Sequence, residues 1–186
     1  MDFAHSDRTA DLLTRARAFM DEHVYPLEAV VGDKGFDAAL PEIRAARDAC
    51  KREGLWAPQM PASYGGMELP FLDHAAMSEV MGRSMLGHFV FGCPAPDAGN
   101  MEILHEYGTE AQKERFLKPL AAGEIRSCFS MTEPDRAGSN PTWMDTTAVL
   151  EGEEWVITGK KWFTTAADGA DFAIVMAVTD PDAPPH

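Results

Sequence analysis

A change of residue patterning near Arg126 constrains the fold of this 186-residue chain more than any other feature. Before it, apolar residues recur at spacings of three and four, the period of one helix face. After it, β-branched and aromatic residues come in short runs between turn formers, which is strand patterning. Leu12, Leu13, Ala16, Phe19, Met20 and Val24 predict a first helix ending near Pro26, followed by a loop over Val30 to Phe36. Ile43, Ala46, Ala49 and Cys50 predict a second, opening after Leu40-Pro41 and closed by Gly54. Leu72, Ala75, Ala76 and Val80 predict a third, after the turn-rich stretch from Pro58 to Gly66. A glycine- and proline-rich passage from Gly87 to Gly99 leads into a short helix at Met101, Ile103 and Leu104 that stops at Gly108. Thr109-Glu110-Ala111-Gln112 fits a capping box, and a further helix runs from it to about Gly123.

Strands are expected over Ser127 to Met131, Met144 to Leu150, Trp155 to Thr158 and Phe172 to Thr179, with Leu150-Glu151-Gly152-Glu153-Glu154-Trp155 reading as a hairpin. Helices first and strands afterwards imply an α+β fold rather than alternating βαβ units. The strands are expected to be antiparallel, and the domains to be 1–125, helical, and 126–186, part of a β-barrel or sandwich. The tail from Thr179 to His186 is polar and proline-rich and reads as an exposed loop.

With 45% hydrophobic residues the chain has enough apolar surface for a true core. Its formal charge of −14, from 30 acidic against 16 basic residues, repels a phosphate backbone and argues against a nucleic-acid partner. The longest apolar run, Phe172 to Val178, falls well short of the ~20 residues of a spanning helix, so no membrane association is expected. Met1 to Asp7 carries neither a basic nor an apolar leader region, making a cytoplasmic location the default. Cys50, Cys93 and Cys128 are odd in number and far apart, and read as buried thiols rather than disulfide or zinc ligands. The histidines show no ligand spacing, and no metal is expected.

The most informative stretch is Cys128-Phe129-Ser130-Met131-Thr132-Glu133-Pro134-Asp135-Arg136-Ala137-Gly138-Ser139-Asn140, a strand running into a turn of small hydrogen-bonding residues. Strand-end N–H groups and hydroxyls there can meet a flat heterocycle, while Gly138 and Ser139 let the backbone approach phosphate oxygens. The alternative is an ordinary turn with Ser139 as a local cap.

This run resembles the acyl-CoA dehydrogenase signature, an aromatic-x-aliphatic-Thr-Glu-Pro strand followed by Ala-Gly-Ser-Asp. Gly54-Leu55 with Pro61-x-x-Tyr64-Gly65-Gly66 resembles the family's helix-to-loop passage. Tyr107-Gly108-Thr109-Glu110-x-Gln112-Lys113 and Phe116-Leu117-x-Pro119-Leu120-x-x-Gly123 resemble its next helix. Gly159-Lys160-Lys161-Trp162-Phe163-Thr164-Thr165 resembles Gly-x-Lys-x-Trp-Ile-Thr. Four blocks in order are far more specific than any one. Two residues, Asp135 and Arg136, stand between Pro134 and Ala137 where most members have one, and Asn140 replaces the usual aspartate. With Cys93 to Glu102, this resembles the branch containing long fused kinase-like dehydrogenases.

The resemblance implies that FAD is the cofactor. By position, Phe129, Met131 and Thr132 line the pyrimidine side of the flavin, and Gly138 and Ser139 lie near its pyrophosphate, Ser139 also near the CoA part of the substrate. Phe163 stands where the family has a tryptophan against the ring. Thr165 stands where a hydroxyl bonds the flavin N5, with Thr164 as a rival one residue away. Met77, Met81 and Met85 share a helical face, which suits core packing, with a channel wall as the alternative.

The activity implied is α,β-dehydrogenation of an acyl-CoA to the trans-2-enoyl-CoA in fatty acid metabolism, with electrons passing to an electron-transfer flavoprotein. A homo-oligomer, dimer or tetramer, is implied for the full-length form. The family's catalytic glutamate lies beyond residue 186, and Glu133 is read as structural, so no catalytic residue is assigned. The chain is thus expected to be a fragment inactive by itself. A flavin or acyl-CoA binding module without catalysis, and an oxidase or monooxygenase on the same scaffold, are the alternatives.

Overall fold

A computed structural model describes residues 4–183. The first residues of the Met1–Asp7 leader reading and the end of the Thr179–His186 tail lie outside the described residues. The chain forms two compact units, divided between Glu124 and Ile125. The architecture is α+β, with helices in the first unit and strands in the second.

Helix α1 (Asp7–Phe19) opens at Ser6, whose hydroxyl accepts from the Thr9 N–H at 3.1 Å and satisfies one orphan donor. Its buried stripe is Leu12, Leu13, Ala16 and Phe19. The helix does not end at Pro26, contrary to expectation. A π-helical turn (Met20–Val24) passes directly into α2 (Tyr25–Lys34), where Pro26 occupies the first turn. Proline has no N–H to continue the ladder, and the wider π turn, closed by the Tyr25 N–H on the Met20 carbonyl, accommodates its ring. The loop expected from Val30 is therefore helix up to Lys34, and the chain turns at Gly35 with φ of 82°.

Helix α3 (Leu40–Arg52) carries Pro41 in its first turn, as its sequence implies. It buries Arg47 among aromatic rings. The guanidinium donates to the carbonyls of Phe89 at 2.8 Å and Gly123 at 3.2 Å, and lies over the rings of Trp56 and Phe89. A cation inside a core is tolerable only with such partners. Trp56 in turn donates its indole N–H to the Ala121 carbonyl at 2.8 Å.

Helix α4 (Phe71–Met81) buries Met77, Val80 and Met81. Met85 does not share their face: α4 ends at Met81, and Met85 is 100% exposed. The Gly87–Gly99 passage is more ordered than its composition suggests, holding α5 (Gly87–Val90) and the start of α6 (Asp97–Tyr107). Both bonds of the capping box form at Thr109 and Gln112, opening α7 (Glu110–Gln112). A π-helical stretch (Lys113–Leu117) and α8 (Lys118–Ala121) complete the unit. Its core centres on Phe19 and Phe91, packed edge to face at 5.1 Å, with Met20, Ile43, Leu55, Met60 and Leu117 fully buried. Each such side chain contributes roughly 1.5–3 kcal/mol of burial.

In the second unit β2 (Thr147–Glu151) and β3 (Glu154–Thr158) form the expected antiparallel hairpin, turning at Gly152 with φ of 65°. The other pair corrects the expectation of antiparallel strands throughout. Strand β1 (Ser127–Ser130) runs parallel to β4 (Phe172–Val175), with Ser127 opposite Phe172. The long excursion between them returns the chain to the same end, the kind of crossover that parallel pairing requires.

Candidate flavin wall

Two segments of the second unit lie side by side just past β1 and β3, and hydrogen bonds outside the regular ladders stitch them together. Thr132 Oγ1 donates to the Trp162 carbonyl at 2.7 Å, and the Trp162 N–H donates to the Thr132 carbonyl at 3.1 Å. Ser130 Oγ and Thr164 Oγ1 share a bond of 3.1 Å. Lys161 Nζ donates to Glu133 Oε1 at 2.9 Å and to the Met131 carbonyl at 2.8 Å.

Glu133 anchors the arrangement. Its side chain is 5% exposed, and its two oxygens also accept from the Asp145 N–H at 2.6 Å and the Thr146 N–H at 2.9 Å. Burial would push its carboxyl up, but hydrogen bonds from Thr146, Asp145 and Lys161 hold it down at about 2. Every strong partner of this carboxylate is structural, so at neutral pH it is an ionised clamp on the 131–146 loop.

The predicted site residues divide into those used by the stitching and those left open. Ser130 and Thr164 spend their hydroxyls on each other, and Thr132 has given its proton to Trp162. Thr165 is exposed and its hydroxyl makes no bond among the described residues. Met131 and Phe129 are half-buried at the end of β1, and the backbone N–H of Thr132 has no acceptor among the described residues. An N–H left open on a half-buried edge is a donor ready for a ligand.

Phe163 is the strained residue of the wall. Its φ is 50°, a left-handed value that a bulky aromatic rarely adopts, and its ring is 79% exposed beside that of Trp162, centroids 4.5 Å apart. The bonds of Trp162 and Thr164 on either side hold it there. Strain kept on a largely exposed aromatic, whose ring contact is with Trp162, makes Phe163 a candidate functional position.

Gly138 and Ser139 occupy the centre of a turn closed by the Asn140 N–H on the Ala137 carbonyl at 3.0 Å. Ser139 is exposed and its hydroxyl makes no bond within the turn. The capping role falls to Asn140, whose Oδ1 accepts from the N–H and hydroxyl of Thr142 at 3.2 and 2.8 Å. A Cβ on Gly138 would stand 3.0 Å from Thr132 Cγ2, so the turn folds close onto the wall. The cavity beneath it, lined by Met131, Thr132, Arg136 and Trp143, holds about 10 Å³, room for no more than a water. Any larger ligand must lie on the outer side.

Sequence reasoning assigned no role to Lys161 or Arg136. Arg136 makes a two-bond pair with Asp145, its Nε 2.8 Å from Oδ2, and lies over the Trp143 ring. The extra loop residue thus fastens the turn to the start of β2. The available signal was a lysine flanked by Gly159 and aromatic residues two strands after a Thr-Glu-Pro run.

Residues 6–124 match the acyl-CoA dehydrogenase N-terminal domain, and residues 128–186 match the acyl-CoA dehydrogenase middle domain. The probable acyl-CoA dehydrogenase FadE2 of Mycobacterium tuberculosis is 43% identical over 100% of this chain and 47% of its own length. Acyl-CoA dehydrogenase family member 11 of Gallus gallus is 38% identical over 95% of this chain and 24% of its own. The chain thus spans half or less of these curated relatives. Among solved structures, an acyl-CoA dehydrogenase-like protein of Mycobacterium abscessus superposes with a TM-score of 0.87 at 42% identity, over 97% of this chain and 48% of that one. A Mycobacterium smegmatis glutaryl-CoA dehydrogenase in complex with FADH2 gives 0.71 at 27% identity, over 95% and 44%. The chain belongs to the acyl-CoA dehydrogenase family.

Proposed function

We propose that this chain supplies the flavin-gripping wall of an FAD-dependent acyl-CoA dehydrogenase. The carrying observation is Phe163, an exposed aromatic held at φ of 50° beside a Thr132 N–H and a Thr165 hydroxyl that have no partner among the described residues. These are the face, edge and terminal contacts that a flat, hydrogen-bonding ring system needs. Bound FAD supplies hydride acceptance, as the FADH2 complex of the glutaryl-CoA relative indicates for that protein.

In this reading Phe129 and Met131 pack the pyrimidine side, and Thr132 presents its N–H to a ring oxygen. The Thr132 hydroxyl, its proton spent on Trp162, acts there as an acceptor. Phe163 covers the ring, and Thr165 rather than Thr164 donates at N5, because Thr165 is exposed whereas Thr164 is half-buried against Ser130. Gly138 and Ser139 stand toward the pyrophosphate and the CoA of the substrate. Glu133 is not the base that removes the α-proton: its three hydrogen bonds and its low pKa leave it no role in proton transfer. The base comes from outside residues 1–186.

The domains are read as 1–125 and 126–186, the reaction as acyl-CoA to trans-2-enoyl-CoA in fatty acid metabolism, and the acceptor as an electron-transfer flavoprotein. The full protein is read as a cytoplasmic homo-oligomer. Among the described residues no helix is long and apolar enough to cross a membrane.

The test is spectroscopic. The protein is mixed with FAD, desalted, and its visible spectrum recorded; a retained, shifted flavin band is expected. The full-length protein is then titrated anaerobically with saturated acyl-CoA thioesters, and bleaching of that band with formation of enoyl-CoA is expected. A full-length protein that stays colourless, or whose flavin no acyl-CoA bleaches, sinks the reading.

A further inference from the structure

The Met131–Thr132 peptide group is engaged at one end and open at the other. Its carbonyl accepts from the Lys161 ammonium at 2.8 Å, while its N–H has no acceptor among the described residues. A cation on a carbonyl oxygen increases the amide's charge separation, and the N–H of that same peptide becomes a stronger donor. Lys161 is well placed to do this, being 11% exposed and therefore little screened by solvent.

Glu133 fixes the ammonium without cancelling it. The carboxylate divides its charge among Lys161 at 2.9 Å, the Asp145 N–H at 2.6 Å and the Thr146 N–H at 2.9 Å. The ammonium, by contrast, has the Met131 carbonyl as its second strong acceptor and only the weak Met144 sulfur at 3.9 Å beyond that.

We propose that Lys161, positioned by Glu133, tunes the redox potential of the bound flavin by polarising the Met131–Thr132 peptide, whose N–H faces the ring. The inference rests on the reading of this wall as a flavin site. Reduction places electron density on the ring, and a stronger donor at a ring oxygen stabilises the reduced form more than the oxidised one. Lys161 therefore raises the potential, and Glu133 holds it below the value an unopposed ammonium would give. Both are positioning residues that act through the peptide and touch no reacting atom.

The test is the midpoint potential of the FAD-loaded full-length protein, measured by equilibration with reference dyes, together with the position of its flavin band. Lys161→Gln lowers the potential, Glu133→Gln raises it, and Lys161→Arg leaves it near the parent value. The expected change is about tenfold in the oxidised-to-reduced equilibrium, or about 30 mV for a two-electron couple. Shifts of opposite sign are the signature, because loosening of the wall would move both variants the same way. If only one variant retains flavin, the sign of its shift decides. Shifts of the same sign, no shift, or loss of flavin from both variants reduces the pair to a structural clamp and overturns the proposal. A parent protein that holds no flavin removes the cofactor reading itself, a result distinct from a loaded protein whose variants are unshifted.

Discussion

Thr132 and Trp162 hold each other through two hydrogen bonds of opposite sense, hydroxyl to carbonyl at 2.7 Å and N–H to carbonyl at 3.1 Å. The pair fixes the backbone entering Phe163 and so imposes its φ of 50°. Such a conformation costs a non-glycine residue on the order of 1–3 kcal/mol. Phe163→Gly relieves that strain and loses little packing, because the ring is exposed. The glycine adds back up to ~1 kcal/mol through unfolded-state entropy. The apo protein is expected to be as stable as the parent or up to ~1 kcal/mol more stable, while FAD affinity falls about tenfold or more, the loss of a ring contact. Denaturant melts and flavin titration measure the two halves. A clear loss of stability would show that the ring is a packing element.

Acid should unlock the 131–146 loop in a defined window. The Glu133 carboxyl is held at about 2, below its ordinary value of 4.5. A depressed carboxyl stabilises the fold above its unfolded pKa and loses that stabilisation as pH falls through the folded one. The second unit should therefore weaken progressively between pH 4.5 and about 2. Glu133→Gln should weaken the unit at neutral pH and flatten its pH dependence in this window. Tryptophan fluorescence, with Trp143 and Trp162 as local reporters, follows the change.

The first unit has its own tight point at Gly123, where φ is 71° and a Cβ would stand 2.3 Å from Arg47 Nη2 and 2.8 Å from Trp56 Cζ2. Gly123→Ala is expected to destabilise by ~2–4 kcal/mol, combining left-handed strain with overpacking against the buried cation. The control Gly54→Ala has a similar φ of 66° but open space around it, and should cost only the conformational share. Equal losses in the two variants would mean that the Arg47 contact yields freely.

Local patterning carried most of the first unit. The helical stripes, the Thr109 capping box and the Pro41 start all lie within one or two turns of chain, where spacing and side-chain chemistry decide. What was not legible depended on remote partners. The helix passes Pro26 because a π-helical turn precedes it, and Met85 leaves the Met77 face because α4 stops at Met81, neither of which a periodicity records. The parallel register of β1 with β4 is a long-range choice. At the wall, Lys160 and Lys161 are adjacent and alike in sequence; that only Lys161 turns inward follows from the position of Glu133, fixed by a different segment. Motif resemblance singled out Ser139, Phe163 and Thr165, which are exposed, and gave Lys161, the partner of the structural Glu133, no role.

Thiol chemistry gives an independent check on the first core. Burial pushes Cys93 up to about 12 and raises Cys50 further still, with Cys93 itself adding to the shift. Only thiolate reacts with alkylating agents. Neither cysteine should be labelled by iodoacetamide in the native protein at pH 8, and both should react at once in denaturant. Mass spectrometry of peptides counts the labels. Native labelling of Cys50 or Cys93 would mean that this core opens far more readily than its packing implies.

The adjacent threonines of the second segment should separate cleanly. Thr164 shares a 3.1 Å bond with Ser130, whereas the exposed Thr165 hydroxyl has no partner among the described residues. Thr164→Val removes one partner of a partly buried pair and should cost ~1 kcal/mol of stability, with flavin affinity and reduction changed little. Thr165→Val leaves no protein group unsatisfied, so stability should hold within ~0.5 kcal/mol, the range for an exposed substitution. In the FAD-loaded full-length protein, however, it should slow reduction by acyl-CoA about tenfold to a hundredfold, as loss of a donor at the accepting atom would. Stopped-flow bleaching and thermal melts on the two variants give four numbers. If Thr164→Val slows reduction while Thr165→Val does not, the hydroxyl at N5 belongs to Thr164, and the wall must turn by one residue when flavin binds.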